Sequence, residues 1–300
     1  MKYAPILVTV YNRINHFKRC IESLKKCDLS NQSHLFVAID APFREADIEI
    51  NLQIIEYSQS IEGFEKITLF VREDNLGSRE NIDKARNHIF QHYDRLIFTE
   101  DDNVFSTSFL VNINKCLEIY KSRKDIFSVS GYNMPFTLPQ NYKKDIYIWQ
   151  GMSAWGVGLW RDKWMSMDFN LNKVDYWLSN KNHLRKINSV AQHYYYALIK
   201  MQKNKNLGGD GFVSNYLIEN DMYSIFPSQT LVRNIGHDGK GNNSFFSNKF
   251  KNQLISNYLF NNLPIDILPD KQINKKLWWY FSNINRLKDR LNSSIIKFFS

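Results

Sequence analysis

Over its first 130 residues the chain alternates short apolar runs with amphipathic stretches, and only a narrow set of folds accommodates that pattern. Pro5 to Val10 is an apolar run of strand length, and Asn15 to Lys26 carries Phe17, Cys20, Ile21 and Leu24 at helical spacing. His34 to Ile39 reads as a second strand ending at Asp40, and Ile48 to Ile61 as a helix. Ile67 to Val71 is a third strand. Asn81 to Tyr93 is a helix with Ile82, Ala85, Ile89 and Phe90 on one side, and Arg95 to Phe98 a fourth strand. Such alternation predicts an α/β fold, a mainly parallel sheet flanked by helices. In these sheets ligands bind beyond the carboxyl ends of the strands. Polar residues collect there: Thr9, Tyr11 and Arg13 around the end of the first strand, Asp40 after the second, and Glu100-Asp101-Asp102 after the fourth.

Three consecutive carboxylates at the end of an apolar strand demand an explanation, because like charges repel and burying them unpaired is costly. Their hard oxygen donors suit Mg2+ or Mn2+, which bridge to substrate phosphates. The alternative is a solvated acidic loop. Asn75, Gly77 and Ser78 lie in the stretch NLGSRENIDKARN, where a helix N-terminus can hold an anion; a plain turn and amphipathic helix is the better reading of most of these residues taken alone. Asp210, between glycines in GGDG, has the exposure a general base needs, or is simply a turn residue. His237, in the loop GHDGKG, can ligate Mn2+ through a ring nitrogen or lie on the surface. That loop lacks the spacing of a phosphate-binding Walker motif.

The second half is less regular. Phe109 to Tyr120 reads as a helix, Ile126 to Ser130 as a strand, and Tyr223 to Val232 as another. Between them lies a loop-rich region with Gly151, Gly156, Gly158 and the tryptophans Trp149, Trp155, Trp160 and Trp164. The C-terminal segment places Leu277, Tyr280, Phe281, Ile284, Leu287, Leu291 and Ile295 three and four apart among lysines and arginines. It reads either as a basic amphipathic helix lying on a membrane surface or as a tail helix packed on the body.

The formal net charge is +9, and from Asp270 to Ser300 seven Lys or Arg face two Asp. The charge therefore points to an anionic membrane surface or phosphorylated substrates, and no recognition motif supports nucleic acid. Three cysteines, Cys20, Cys27 and Cys116, have no metal-type spacing and suggest structural thiols in a reducing cytoplasm. No apolar run approaches the roughly 18 residues of a membrane-spanning helix, and the N-terminal MKYAPILVTV reads as a first strand rather than a signal peptide.

In order, the stretches VTVYNR, AID, NLGSRENIDKARN, LIFTEDD, SAWGVGLWRDKW, GGDG and NIGHDGKG resemble a GT-A-fold glycosyltransferase of the bacterial sort that builds polysaccharides and is similar to N-acetylglucosaminyltransferase I. The resemblance spans roughly residues 4 to 245. It implies a GT-A domain over 1–250, with a nucleotide-sugar half (1–130) and an acceptor half (131–250), followed by a helical tail over 251–300 that could associate with a membrane. It further implies an inverting transfer from a nucleotide sugar, expected to be a UDP-sugar, to a glycan or lipid-linked glycan acceptor, at the cytoplasmic face of the membrane, with Mn2+ or Mg2+ as cofactor. Glu100-Asp101-Asp102 stands where the family has its DXD-type motif, Asp102 touching the metal and Asp101 facing the ribose. Arg13 and Asp40 match positions near the uracil, within a donor site of Thr9, Tyr11, Asn75, Gly77, Ser78 and Glu100. Asp210 matches the catalytic base and His237 a late metal or diphosphate ligand. Trp155, Gly156 and Trp160 would form the acceptor wall, while Trp149 and Trp164 are expected in the core. A sugar nucleotidyltransferase and a non-catalytic carbohydrate-binding protein are the rival readings. The first would need a glycine-rich loop after the first strand, and YNRINH is not one; the second leaves the carboxylates unexplained.

Overall fold

The computed structural model describes residues 3–237, 250 and 252–287. Strand β1 (Ile6–Val10), helix α1 (Ile14–Lys25), β2 (His34–Ile39), α2 (Ile48–Gln59), β3 (Lys66–Val71), α3 (Gly77–His92) and β4 (Arg95–Glu100) follow one another as the sequence alternation requires. The order continues with β5 (Asn103–Phe105), α4 (Phe109–Ile119), β6 (Ile126–Ser130), β7 (Ile146–Trp149), β8 (Val157–Trp160) and α5 (Arg161–Met165). Then come α6 (Leu171–Ser179), α7 (Lys181–Val190), α8 (His193–Asn204), α9 (Gly209–Glu219), β9 (Tyr223–Pro227), β10 (Val232–Asn234) and α10 (Lys271–Tyr280).

Eight strands form one sheet in the order β3-β2-β1-β4-β8-β6-β9-β7, and β10 pairs with β5 in a small second sheet. The pairs β1–β2, β1–β4, β2–β3 and β6–β9 are parallel; β8 runs antiparallel to β4 and β6, and β7 antiparallel to β9. This is the mainly parallel, helix-flanked α/β architecture expected from the alternation. Alternate side chains of each strand enter opposite layers. Ile6, Val8 and Val10 of β1 pack with Phe17 and Ile21 of α1 and with α4, whereas Leu7 faces Ala85 and Ile89 of α3 and Val213 and Leu217 of α9. Both faces of the sheet are therefore buried, which is why these strands read as continuous apolar runs.

Several sequence expectations change. The loop-rich tryptophan region contains β7 and β8, and β8 lies near the middle of the sheet. The strand expected over Tyr223 to Val232 is two strands, β9 ending at Pro227 and β10 beginning at Val232. Residues 252–270 are not helical. They form a strap over α4 and β7: Asn257 accepts from the Ser108 amide, Asn112 donates to the Tyr258 carbonyl, and Asp145 accepts from the Asn261 and Asn262 amides. Phe260, Ile267, Ile273 and Leu277 then join the main core, so apolar packing runs past the boundary drawn at residue 250. Of the amphipathic tail, α10 is packed on the body, with Ile273 and Leu277 fully buried. Leu291, Ile295 and the basic residues beyond 287 lie outside the described residues. Among the described residues no helix is long and apolar enough to cross a membrane. The three cysteines are buried and free.

Candidate active site

Because β1, β2 and β4 are parallel and adjacent, their carboxyl ends share one edge of the sheet, with Thr9 opposite Glu100 and Val10 opposite Ile39. A cavity of about 900 Å3 opens there. It is lined by Thr9, Tyr11, Arg13, Asp40, Asn75, Gly77, Ser78, Glu100, Asp101, Asp102, Trp155 and His237, residues that are far apart in sequence. All nine donor-site candidates, both metal candidates and one of three acceptor candidates are therefore together.

Asp102 is held from two sides. Arg13 Nη1 donates to its Oδ2 at 2.8 Å, and Asn234 Nδ2 to its Oδ1 at 2.6 Å. A carboxylate only accepts, so the Asn234 amide nitrogen must face Asp102 and its oxygen must face away. That oxygen accepts from the Gly236 amide and from His237 Nδ1, each at 2.9 Å. An acceptor in that position selects the tautomer of His237 with its proton on Nδ1. Gly236 is required at its place, since a Cβ there would come within 2.0 Å of Asp102 Oδ2. The remainder of the GHDGKG loop, including Asp238, lies outside the described residues.

Among the described residues the cluster is short of positive charge. Burial, then the charges of Asp102, Asp210 and Asp101, push the Glu100 carboxyl well above its ordinary range, and Arg13 opposes this only in part. Burial and then Asp102 raise Asp101 to about 7. A divalent cation fits this donor set: the oxygens are hard, they are crowded, and their charge is undercompensated by the described residues. Among the described residues no group of three or more His, Cys, Asp or Glu forms a metal cage, so protein donors would hold a cation only in part.

The opposite side of the cavity is built for recognition. Asp40 is buried and accepts from the amides of Leu76 (2.9 Å) and Ala41 (3.1 Å), which pins the Asn75–Gly77 turn against the end of β2. Asn75 Nδ2 donates to the Ala41 carbonyl at 2.6 Å. The turn aims the N-terminus of α3, with Ser78 in its first turn, at the cavity, where its dipole favours an anion. Tyr11 donates to Asp47 at 2.9 Å and accepts from the Phe43 amide at 3.0 Å. Asp47 also binds Asn12 and Arg44, hydrogen bonds that hold its carboxyl far below the usual range. Phe43, Arg44, Asn12, Asn81 and Asn234 line the cavity too and were not found from sequence. Arg13, which the resemblance places near the uracil, is ion-paired with Asp102.

Asp210 sits in the first turn of α9 and its Oδ2 accepts from the Ala154 amide at 3.2 Å. It is open to solvent, yet the protein mass around its carboxyl disfavours the charged form and raises it to about 6. It is not among the residues that line the cavity, but its charge acts on Glu100. Trp155 packs edge-on against His237 with ring centroids 5.4 Å apart. The other two acceptor candidates belong elsewhere. Trp160 is 4% exposed, pairs with Arg95 at the far end of β4, and donates its indole N–H to the Leu117 carbonyl at 3.1 Å. Because β8 is antiparallel to β4, its C-terminal residue points away from the site. Gly156 has φ +69°, and a Cβ on it would lie 3.0 Å from the Phe105 and Phe109 rings, so it serves backbone geometry and packing. Trp149 and Trp164 are buried, as expected.

No family model matches the chain, and no curated protein matches it. Solved structures similar to parts of it include S. aureus TarS 1-349, at 15% identity over 53% of this chain and 47% of that one, TM-score 0.36. The mannosyltransferase PcManGT from Pyrobaculum calidifontis, in complex with GDP-Man and Mn2+, is 10% identical over 73% of this chain and 68% of that one, TM-score 0.41. GalNAc-T7 with UDP, GalNAc and Mn2+ is 12% identical over 75% of this chain and 42% of that one, TM-score 0.46. The chain thus spans about half the length of the TarS fragment and of GalNAc-T7. At these values the site itself has to carry the functional reading.

Proposed function

We propose that the protein is an inverting, metal-dependent glycosyltransferase that moves a sugar from a nucleotide sugar, a UDP-sugar, to a glycan or lipid-linked glycan at the cytoplasmic face of a membrane, in the synthesis of bacterial surface polysaccharide. The observation that carries this is the undercompensated cluster Glu100-Asp101-Asp102 in a large cleft, with a solvent-reachable carboxylate of raised pKa, Asp210, outside the cleft's lining but near enough for its charge to act on Glu100. Asp102 and His237 are the residues that would hold Mn2+ or Mg2+. When bound, the ion withdraws charge from the diphosphate leaving group.

The protein's own residues do the rest. The Asp40-ordered turn and the α3 N-terminus bind and orient the donor, with Tyr11 and Thr9 beside it. Arg13 and Asn234 fix the Asp102 carboxylate, so that the metal site is ordered before ligands arrive. Asp210 accepts the proton of the acceptor hydroxyl as that oxygen bonds to the anomeric carbon and the bond to the diphosphate breaks on the opposite face. A carboxyl near 6 is charged at neutral pH and still basic enough to take the proton. Trp155 offers an aromatic face for the acceptor ring.

The test is nucleotide release from a panel of UDP- and GDP-sugars, with Mn2+, with Mg2+ or with EDTA, for the wild type and Asp102→Ala. Release from one donor that requires metal and is lost in the variant supports the reading. Calorimetric titration with UDP and GDP covers the case in which an acceptor is required. Absence of nucleotide binding in every condition would overturn it.

A further inference from the structure

The positive charge of this chain is concentrated on one part of its surface. Residues 181–205 contain six Lys or Arg and residues 271–287 contain four, with no Asp or Glu in either segment, while the whole chain has a formal net charge of +9. The two segments are neighbours. Trp278 Nε1 donates to the Asn188 carbonyl at 2.7 Å, the Asn283 amide to Gln192 Oε1 at 3.1 Å, and the Asn283 side chain to the Tyr196 hydroxyl at 3.4 Å. Phe281 stacks on His193 with ring centroids 4.3 Å apart. Flanking acids temper the charge only at its border: Lys186 pairs with Asp221, Asp175 accepts from Gln202, and Asp270 caps α10.

The same joined surface is apolar. Helix α8 buries Tyr194, Leu198 and Met201 and presents Tyr195, Tyr196 and Ile199 outward. Next to it Trp279, Ile284 and Leu287 are also turned outward, and all six are between 39% and 60% exposed. Large apolar and aromatic side chains in water are costly, and the same two segments also expose Lys200, Lys203, Lys275 and Lys276. They match the headgroup boundary of a bilayer, where rings and aliphatic chains enter the acyl edge and lysines reach phosphates. Aliphatic Ile199, Ile284 and Leu287 have no use against a nucleic acid backbone, and the lysines none against a neutral apolar partner.

We propose that the outer face of α8 together with residues 279–287 is a docking surface for an anionic lipid bilayer. It contains no donor-site or metal residue and is independent of the transfer chemistry. Helix α8 packs on α9, the helix that carries Asp210, with Ala197 against Gly211. A bilayer held there sits one helix away from the carboxylate proposed to activate the acceptor.

The experiment is vesicle flotation of the full chain with phosphatidylcholine alone or mixed with phosphatidylglycerol. Two double variants are compared, Lys200→Gln with Lys203→Gln, and Ile284→Asn with Leu287→Asn, each checked for an unchanged melting temperature and unchanged UDP titration. The expected result is flotation with the anionic vesicles only, weakened by salt. The lysine variant should lower partitioning about 25-fold, about fivefold per lysine, and the apolar variant should lower it at every salt concentration. Lack of flotation with anionic vesicles overturns the proposal. So does flotation that neither variant changes, which would place binding elsewhere in the chain, and so does an RNA mobility shift or a concentration-dependent dimer that the variants abolish without any vesicle binding.

Discussion

Replacing Asp210 by Asn should make the protein inactive and, above neutral pH, more stable. The reason lies in what the charge costs the fold. The carboxyl is moved from its ordinary 3.8 to about 6, so folding disfavours its ionised form. Fully applied, that displacement amounts to about 3 kcal/mol. The side chain is open to solvent, and screening reduces the usable figure to about 1 kcal/mol. For a folded pKa raised above the unfolded one, the associated stability is complete below the unfolded value and is lost as pH rises through the folded value. The wild type therefore carries the penalty above about pH 6 and escapes it near about pH 4, whereas Asn, neutral throughout and able to keep the hydrogen bond from Ala154, never pays it. By calorimetry Asp210→Asn should melt about 2 °C higher than wild type near about pH 8 and level with it near about pH 4. Turnover should fall about 100- to 10,000-fold, and wild-type kcat/KM should decline below about pH 6 as the base is protonated. A variant that melts lower at both pH values, or that keeps its turnover, would refute the reasoning, because Asp210 would then be a satisfied turn residue.

Three other perturbations test separate parts of the site. Asn234→Leu removes the amide that joins Asp102 to His237, and Mn2+ affinity measured by titration should fall about 10- to 100-fold; unchanged affinity would mean the metal is not held there. Arg13→Met leaves Asp102 without its ion pair and should cost about 1–3 kcal/mol of stability, a loss that added Mn2+ reduces more than it stabilises the wild type; a melting temperature insensitive to both changes would contradict the electrostatic account. Trp155→Ala should raise the acceptor KM about fivefold, the loss of one aromatic contact, with a smaller thermal effect than Trp160→Ala, which should cost about 3–5 kcal/mol and leave KM alone; the reverse pattern would restore Trp160 to the acceptor wall.

The first half of the fold was legible because its signals are local. Strands β1, β2 and β4 are bounded by polar residues, and helices α1 and α2 repeat apolar residues at three and four, so their ends were found to within two residues. Helix α3 starts at Gly77 rather than Asn81, since its first turn is polar on every side and carries no periodicity. Strands β7 and β8 were missed because four buried residues including a tryptophan look the same in a strand or a packed loop. The fate of Trp160 followed from that. Only the antiparallel insertion of β8 between β4 and β6 shows that its last residue is at the wrong end of the sheet, and strand direction is a long-range property. At the site, acidic clusters and glycine-flanked residues announce themselves, while Asn234 does not. It is 132 residues from Asp102, and a single asparagine has no spacing to read.

Two kinds of acid, one behind the cleft's rim and one inside the cleft, decide between a functional cluster and a solvated loop. Asp47 is buried but surrounded by donors from Tyr11, Asn12 and Arg44, and its carboxyl is held well below the ordinary range. It is an acid whose needs the protein meets, and it orders the rim. Glu100 and Asp101 are in the opposite condition, raised by burial and by each other's neighbours. A loop with nothing to bind would turn such carboxylates toward water or exchange them for neutral residues, since leaving buried charge unpaired destabilises the fold. Here the chain instead brings Arg13 from the end of β1 and Asn234 from β10 to fix one carboxylate, ties the Asp102 carbonyl to the Ile235 amide at 2.8 Å, and leaves the other two acids facing the cavity undercompensated. Order without neutralisation is what a site for a cation and its anionic partner requires, and it is the reason a buried strand can end in three like charges.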